Sequence, residues 1–370
     1  MSGQFRSLSI YAEEQPESRQ PAGTFSSNSL RLELNTPIGE NSHLELAGEN
    51  NLLYADPEEL LLLPADSVNR LVPVDKAWQS DSGLANRLQL DRCNLQISHR
   101  GTDWIIGRQA IGFGRMLIVS PLDIIAPFAP DAIDRLTRPG VDALRAVRYF
   151  GTAGQVGAVA VFGDNSDHHS LLATFSTNSH GIDLLGLGGS LRSRPMLGLG
   201  LTGEISGLGI KGEIAFYHGR DSADSDGDLH RNFVIAGTEF WYRFANDLVI
   251  VAQYLFNGAG AAAPKDYLAA KNSAAVQEGL SFLLGQHYLL LSPSWEVHPL
   301  VTLSGLLIWN LTDGSTLLRP TIDWSLSDNL SLELFYAINR GSSPRGLPTE
   351  PRSEFGSAAD GGGIFLTFFF

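Results

Sequence analysis

The feature that most constrains this chain is a side-chain alternation with a period of two. In 301–311 apolar or small side chains occupy every second position, and the polar Thr302, Ser304 and Asn310 lie between them; similar alternation follows in 318–326 and 330–338. Successive side chains of a β-strand point to opposite faces, so this period predicts three consecutive strands. The segments between them, 312–315 and 327–329, are short and polar, as hairpin turns are.

The same alternation runs through the rest of the chain and predicts about 18 strands. The predicted strands lie near 4–13, 28–36, 43–54, 84–98, 102–115, 143–150, 155–163, 170–178, 182–192, 195–206, 207–218, 232–245, 248–257, 287–297, 300–311, 315–326, 330–340 and 359–370. An antiparallel sheet of roughly 16 to 18 strands closes into a barrel wide enough to hold an aqueous lumen. We therefore predict an all-β fold, a single up-and-down barrel over residues 1–370.

The connections between the predicted strands differ in length on the two sides of the barrel. Connections from an even to the following odd strand are short, and the long segments all fall on odd-to-even positions. These long segments lie near 14–27, 55–83, 116–142, 219–231, 258–286 and 341–358. Long external loops opposite short periplasmic turns are typical of transmembrane barrels of the bacterial outer membrane.

Composition agrees with a membrane barrel and excludes several other classes. Charged residues make up 18% of the chain, below the roughly 25% of soluble domains. The sequence contains no run of about 20 apolar residues that would form a transmembrane helix. A net charge of −14 argues against a nucleic-acid partner. The single cysteine, Cys93, excludes internal disulfides and c-type haem attachment, and no motif calls for a cofactor.

Aromatic residues fall where a membrane barrel would carry its two interfacial girdles. The alternation places one group near the periplasmic rim: Trp104, Tyr242, Phe244, Trp295 and Trp324. Trp309 and Tyr336 fall near the outer rim. The expected environment is therefore outer-membrane lipid and lipopolysaccharide.

The last strand resembles the signal that bacterial barrel proteins present to their assembly machinery. The chain ends in Phe-Leu-Thr-Phe-Phe-Phe, and Ile364, Leu366, Phe368 and Phe370 share one face. The resemblance implies that the barrel-assembly machinery is a partner through Phe370. A barrel must also cross the inner membrane, yet the chain opens Met-Ser-Gly-Gln-Phe-Arg without an apolar segment. We therefore expect its leader peptide to have been removed.

The segment 116–142 differs from the other long loops because it is strongly apolar. Leu117, Ile118, Leu122, Ile124 and Ile125 would be costly to leave in water. Four prolines limit the segment to short extended pieces and turns. We expect it to fold inward against the barrel wall, where it would narrow the lumen.

Charges of both signs lie in this loop and in the strands beside it. The candidate constriction residues are Arg108, Arg115, Asp123, Asp131, Asp134, Arg135, Arg138, Asp142, Arg145 and Arg148. Opposed carboxylates and guanidinium groups across a narrow lumen would select permeants by charge and size. A salt-bridge network that only pins the loop, or a docking site for a partner, would use the same residue types. A second set is expected to line the lumen in general: Lys211, Glu213, Glu239, Arg243, Asp323 and Glu333.

The segment from Gly107 to Ala146 carries a family resemblance. Its pattern GRQAIGFGR, SPLDIIAPFAP and RPGVDALRA resembles porin-like barrels of anaerobic, metal-reducing bacteria. Some of these barrels are similar to the sheaths of porin–cytochrome conduits, in which a barrel surrounds a multihaem cytochrome. The resemblance implies a large loop after the fifth strand and a cytochrome as an alternative partner.

Two segments contain residue types that metal sites use. His168 and His169 point apart in an extended chain, and no third ligand accompanies them. The acidic segment 221–228 lacks the glutamate that closes a calcium loop. We expect solvated loops at both, and no metal.

The sequence therefore predicts a porin-like channel for small hydrophilic solutes or ions. The first alternative is a structural sheath around a multihaem cytochrome, which requires a lumen wide enough for a protein. The second is a barrel enzyme, which requires a serine, a histidine and a carboxylate at one rim. No nucleophile elbow supports the enzyme.

Overall fold

The alternating segments form one antiparallel sheet of 19 strands, 18 of which close into a barrel. The structure is a computed structural model, and it describes residues 1–15, 20–61, 67–79, 82–220, 227–345 and 350–370. The predicted fold class is therefore confirmed.

The strands follow the order of the chain around the barrel. Their bounds are β1 (Ser2–Ala12), β2 (Gly23–Gly39), β3 (Ser42–Asp56), β4 (Asp75–Gln79), β5 (Leu84–His99), β6 (Thr102–Gln109), β7 (Val141–Phe150), β8 (Gly154–Val161), β9 (Ser170–Ser179), β10 (Ile182–Leu191), β11 (Arg194–Ile205), β12 (Leu208–His218), β13 (Asn232–Arg243), β14 (Leu248–Asn257), β15 (His287–His298), β16 (Val301–Asn310), β17 (Thr316–Ser327), β18 (Leu330–Arg340) and β19 (Gly361–Phe369). β19 pairs with both β18 and β1, which closes the barrel.

The barrel wall carries polar side chains inside and apolar ones outside. In β2 the outward Leu30 and Leu32 are 43% and 40% exposed, whereas Arg31 between them is 1% exposed. The seven aromatic residues predicted for the rims are all exposed, between 39% and 47% of their surface. A soluble protein would leave such an apolar surface in water, so this distribution fits a barrel surrounded by lipid.

The two ends of the barrel differ as predicted. At one end the connections are tight turns, and three of them place an ordinary residue and then a glycine at positive φ. These pairs are Arg100-Gly101, His180-Gly181 and Ser206-Gly207. Two positive φ angles in succession form the type I′ turn, whose twist matches that of the flanking strands. The long loops all lie at the other end.

One strand was not predicted, and one ends earlier than predicted. β6 ends at Gln109, not near 115, because the chain leaves the wall there. β6 pairs with only the 93–99 half of β5, and β4 pairs with residues 85–89 of the same strand. Since β4 continues the line of β6, it supplies the hydrogen bonds that β5 would otherwise lack.

Helix is confined to short pieces of the loops. The loop between β14 and β15 contains α1 (Tyr267–Lys271) and α2 (Ala274–Gln277). Within the described residues, no helix has the length and apolar character needed to span a bilayer.

Candidate constriction site

The loop between β6 and β7, residues 110–140, lies against the inner wall of the barrel. Leu122, Ile124 and Ile125 are fully buried in a cluster with wall residues of β7 to β11. Gly198 and Gly200 make room for Leu122: a Cβ at these positions would lie 2.5 Å and 3.0 Å from its methyl groups. Burial of each such side chain contributes about 1.5–3 kcal/mol, which holds the loop to the wall.

Inward side chains of three neighbouring strands bind the backbone of this loop. Glu213 accepts hydrogen bonds from the N–H groups of Arg115 (2.7 Å), Met116 (3.3 Å) and Leu122 (3.2 Å). The hydroxyl of Ser120 also donates to Glu213. A carboxylate with four donors satisfies peptide groups that the loop cannot pair within itself.

Glu239 and Gln253 extend the same anchorage. Glu239 accepts the N–H of Leu117 at 2.7 Å, and its other oxygen lies 2.8 Å from Lys211 Nζ. Gln253 accepts the N–H of Val119 at 3.0 Å and donates to the carbonyl of the same residue. The expectation that Glu213 and Glu239 only line the lumen was therefore incomplete, because both hold the loop, whereas Lys211 pairs with Glu239. We call Glu213, Glu239 and Gln253 the loop clamp.

The middle of the loop is braced by its own charges and by external loops. Arg138 and Asp123 form a bidentate pair, with both N···O distances 2.7 Å. The carbonyl of Ile125 accepts from Asn69 at 2.7 Å and from Arg192 at 3.2 Å. Burial raises the pKa of the Asp123 carboxyl, and the Arg138 guanidinium beside it opposes that rise.

The far part of the loop, 131–137, reaches the opposite side of the lumen. Asp134 forms an ion pair with Arg6 of β1, and Gln4 Nε2 donates to the Thr137 hydroxyl at 3.0 Å. Arg319 of β17 donates to the carbonyl of Asp131. The loop is thus bound to β12–β14 near its beginning and to β1 and β17 near its end, and it crosses the lumen from the wall of β7–β11 to β1.

Arg6 belongs to a larger charged cluster on the inner wall that the sequence did not single out. Arg6 lies 2.6 Å from Glu49 of β3, and Arg31 lies 2.6 Å from Asp91 of β5. Asp91 also contacts Arg70 at 3.2 Å. Charged residues at alternate positions of β1 to β5 are the only sequence signal of this cluster, because its members are far apart in the chain.

A cavity lies on each side of the loop. The cavity towards the long loops measures about 460 Å³ and is lined by Arg6, Glu49, Phe128 and Asp134. The cavity towards the short turns measures about 430 Å³ and is lined by Arg135, Arg319, Asp323 and Glu333, among others. Residues of the segment 131–137 line both cavities, so the segment lies between them.

The other candidate residues are distributed over the wall and the loop. Arg108 and Asp142, cross-strand partners of β6 and β7, form a bidentate pair at 2.7 and 3.0 Å. Arg115 is half-buried, 3.8 Å from Asp183. Arg135 donates to the carbonyls of Ala129 and Pro130. Arg115 and Arg135 belong to the loop, and the Arg108–Asp142 pair flanks its two ends on the face of β7 that also carries Leu144.

The last two candidates lie on opposite faces of β7. Arg145 shares the face of the buried Ala143 and Val147, which looks into the barrel. Arg148 is exposed and shares the face of Leu144, so it lies outside the lumen and does not belong to the constriction.

The structure describes His168 and only part of the acidic segment. His168 bonds Asp164 through Nδ1 at 2.5 Å, and its Nε2 lies 3.4 Å from Glu278. No group of three or more histidine, cysteine or carboxylate ligands occurs in the part of the chain that the structure describes. Of the acidic segment 221–228, residues 221–226 lie outside the described residues.

A closed barrel of 18 antiparallel strands, crossed by the loop after its fifth wall strand, is the architecture of porins. No protein-family profile and no curated protein matches the sequence. Among solved structures, Acinetobacter baumannii OccAB4 matches with a TM-score of 0.60 at 8% identity, covering 100% of this chain and 97% of that one. Pseudomonas aeruginosa OpdL matches with a TM-score of 0.57 at 13% identity, covering 100% and 98%. Pseudomonas aeruginosa OccK8 (OprE) matches with a TM-score of 0.57 at 10% identity, covering 100% and 97%. The chain therefore has the fold of these barrels over its full length.

Proposed function

We propose that this protein is an outer-membrane channel that passes small hydrophilic solutes or ions, with the 110–140 loop as its constriction. The observation that carries the proposal is the loop itself, held across the lumen between two cavities that charged side chains help to line. A loop bound at both walls divides the lumen into a narrow path lined by charge, which filters by size and charge. The apolar outer wall with aromatic rims supports the membrane location.

The sheath around a multihaem cytochrome finds less support. A sheath needs a lumen wide enough for a protein, but the loop occupies it and is bound on both sides. Opening that space would break the loop clamp and re-expose Leu122, Ile124 and Ile125. The fold neighbours are porins and add no support for a sheath.

Single-channel recording in planar bilayers tests the proposal. The purified protein alone should give stable, stepwise, ion-selective openings. Arg6→Ala should raise the conductance because it frees Asp134 and lets the far part of the loop move from the wall. A folded barrel that does not conduct would contradict the proposal.

The conductance of Arg6→Ala needs a matched control. Arg148→Ala removes an exposed arginine of β7 that lies outside the lumen. Both variants lose one positive charge, but only Arg6 contacts the loop. Equal conductances in the two variants would mean that the loop does not limit the current. Circular dichroism and heat-modified gel mobility establish that each barrel is folded.

A further inference from the structure

The cavity on the short-turn side of the loop contains four charged groups that the anchoring of the loop does not use as ion pairs. Arg135 belongs to the loop and Arg319 to β17, whereas Asp323 and Glu333 belong to β17 and β18. Over the described residues, none of the four has an oppositely charged group within 4 Å. This differs from the other side of the loop, where Arg6, Arg31 and Arg70 each have carboxylates in contact.

The two carboxylates face each other across neighbouring strands. Asp323 and Glu333 are register partners in β17 and β18, which places their side chains side by side on the inner wall. The Ser304 hydroxyl donates to Asp323 at 3.1 Å. Like charges directly opposite each other in a sheet are destabilising, so this pair favours a cation between them.

The two guanidinium groups form the complementary half of the cavity. Arg135 and Arg319 lie close enough to repel each other, and within the described part of the chain each donates only to backbone carbonyls. The Nε atoms of both are shielded and find no acceptor among the described residues. The exposed carboxylate of Asp131 attracts both guanidinium groups, and Glu333 also attracts Arg319. Free guanidinium donors favour a carboxylate as their partner.

We infer that this cavity is a transient binding site for small zwitterions that carry an ammonium and a carboxylate group, as free amino acids do. The ammonium group would lie at Asp323 and Glu333, and the carboxylate at Arg135 and Arg319. The hydroxyls of Ser292, Ser294 and Thr321 in the same wall add neutral hydrogen-bonding groups. A simple anion would be attracted by the two arginines but repelled by the two carboxylates. A simple cation would be attracted by the carboxylates but repelled by the arginines.

The inference rests on the proposed channel function, because the ligand reaches the cavity by permeation. Liposome swelling with glycine and with glycolamide, its uncharged isomer, separates charge from size. The protein should pass glycine about fivefold faster than glycolamide, the factor expected of two weak, partly solvated ion pairs. Asp323→Asn with Glu333→Gln should bring the two rates together and favour glycolate over glycine.

A matched control and a second variant complete the experiment. Glu204→Gln with Glu296→Gln also removes two negative charges, from exposed positions outside the cavity, and should keep the preference for glycine. Arg319→Gln should also reduce the preference for glycine over glycolamide. Because the carboxylate pair remains, this variant should favour ethanolammonium, a simple cation, over glycine. Equal rates for glycine and glycolamide in the unaltered protein, with normal potassium chloride conductance, would overturn this inference alone. Failure to conduct any ion would instead overturn the channel.

Discussion

Glu213 joins more of the loop to the wall than any other side chain described above. Its carboxylate accepts from three peptide N–H groups and from the Ser120 hydroxyl. In Glu213→Ala these donors lose their acceptor in a partly buried place, which costs about 1–3 kcal/mol for each donor that finds no other partner. Hydrogen exchange of the peptide 115–122 should become at least about tenfold faster. Glu204→Ala, an exposed glutamate of β11, should leave that exchange unchanged, and equal exchange in both variants would remove Glu213 from the clamp.

The sequence identified the charged residues of the loop better than their partners on the barrel wall. Asp123, Asp134, Arg135 and Arg138 stand out because they lie in one unusual apolar loop. Their partners do not, because alternation assigns a residue to a face but not to a height or an angle around the barrel. Arg6 lies 128 residues from Asp134, and only barrel closure brings them together.

At the scale of elements, the long loops lock to one another through a buried carboxyl. Glu354, between β18 and β19, accepts from the hydroxyl of Tyr288 (2.5 Å), the amide of Asn310 (2.8 Å) and the N–H of Leu284 (2.8 Å). Burial raises the pKa of Glu354 to about 7, and the neighbouring Asp313 adds to the rise. Three loops therefore meet at one titratable group.

The raised pKa of Glu354 predicts a pH-dependent contact between these loops. Because the folded pKa exceeds the ordinary value of 4.5, the stabilisation is complete below about pH 4.5 and is lost as the pH rises through 7. Hydrogen exchange of the 280–286 segment, corrected for its intrinsic pH dependence, should be slower at pH 5 than at pH 8. Glu354→Gln should abolish the difference, and Glu350→Gln, an exposed neighbour, should retain it. A difference that survives in Glu354→Gln would assign the effect to another group.

Alternation could not predict β4 or the early end of β6, because both depend on where the 110–140 loop leaves the barrel wall. β4 is only five residues long and is a strand because β6 leaves the wall and exposes an edge of β5. The early end of β6 has the same cause, since the residues up to 115 continue an alternating pattern. Their backbone is directed inward by contacts with β12, which lies far away in the sequence.

At the scale of the molecule, closure depends on the two chain ends. The Phe370 N–H and carbonyl exchange hydrogen bonds with Gly3 at 2.9 and 2.8 Å, and the Phe370 ring is exposed on the outer face. If the assembly machinery binds this ring, Phe370→Ala should reduce insertion in cells strongly while refolding in detergent proceeds nearly as before. Both are measured by the fraction of heat-modifiable barrel on gels.

Phe369→Ala controls for the loss of an aromatic ring from the same strand, since Phe369 is also exposed. Equal insertion of the two variants in cells would remove Phe370 as the recognised residue. A large defect of Phe370→Ala in detergent as well would assign its role to barrel closure.

The loop clamp has a consequence for how such a barrel can change over time. Glu213, Glu239 and Gln253 hold peptide groups, which every residue except proline presents alike. The anchorage therefore tolerates new side chains at positions such as Arg115 and Leu117 without being rebuilt. The selectivity of the channel can therefore change, by natural drift or by design of sensing pores, while the barrel wall and the loop clamp stay the same.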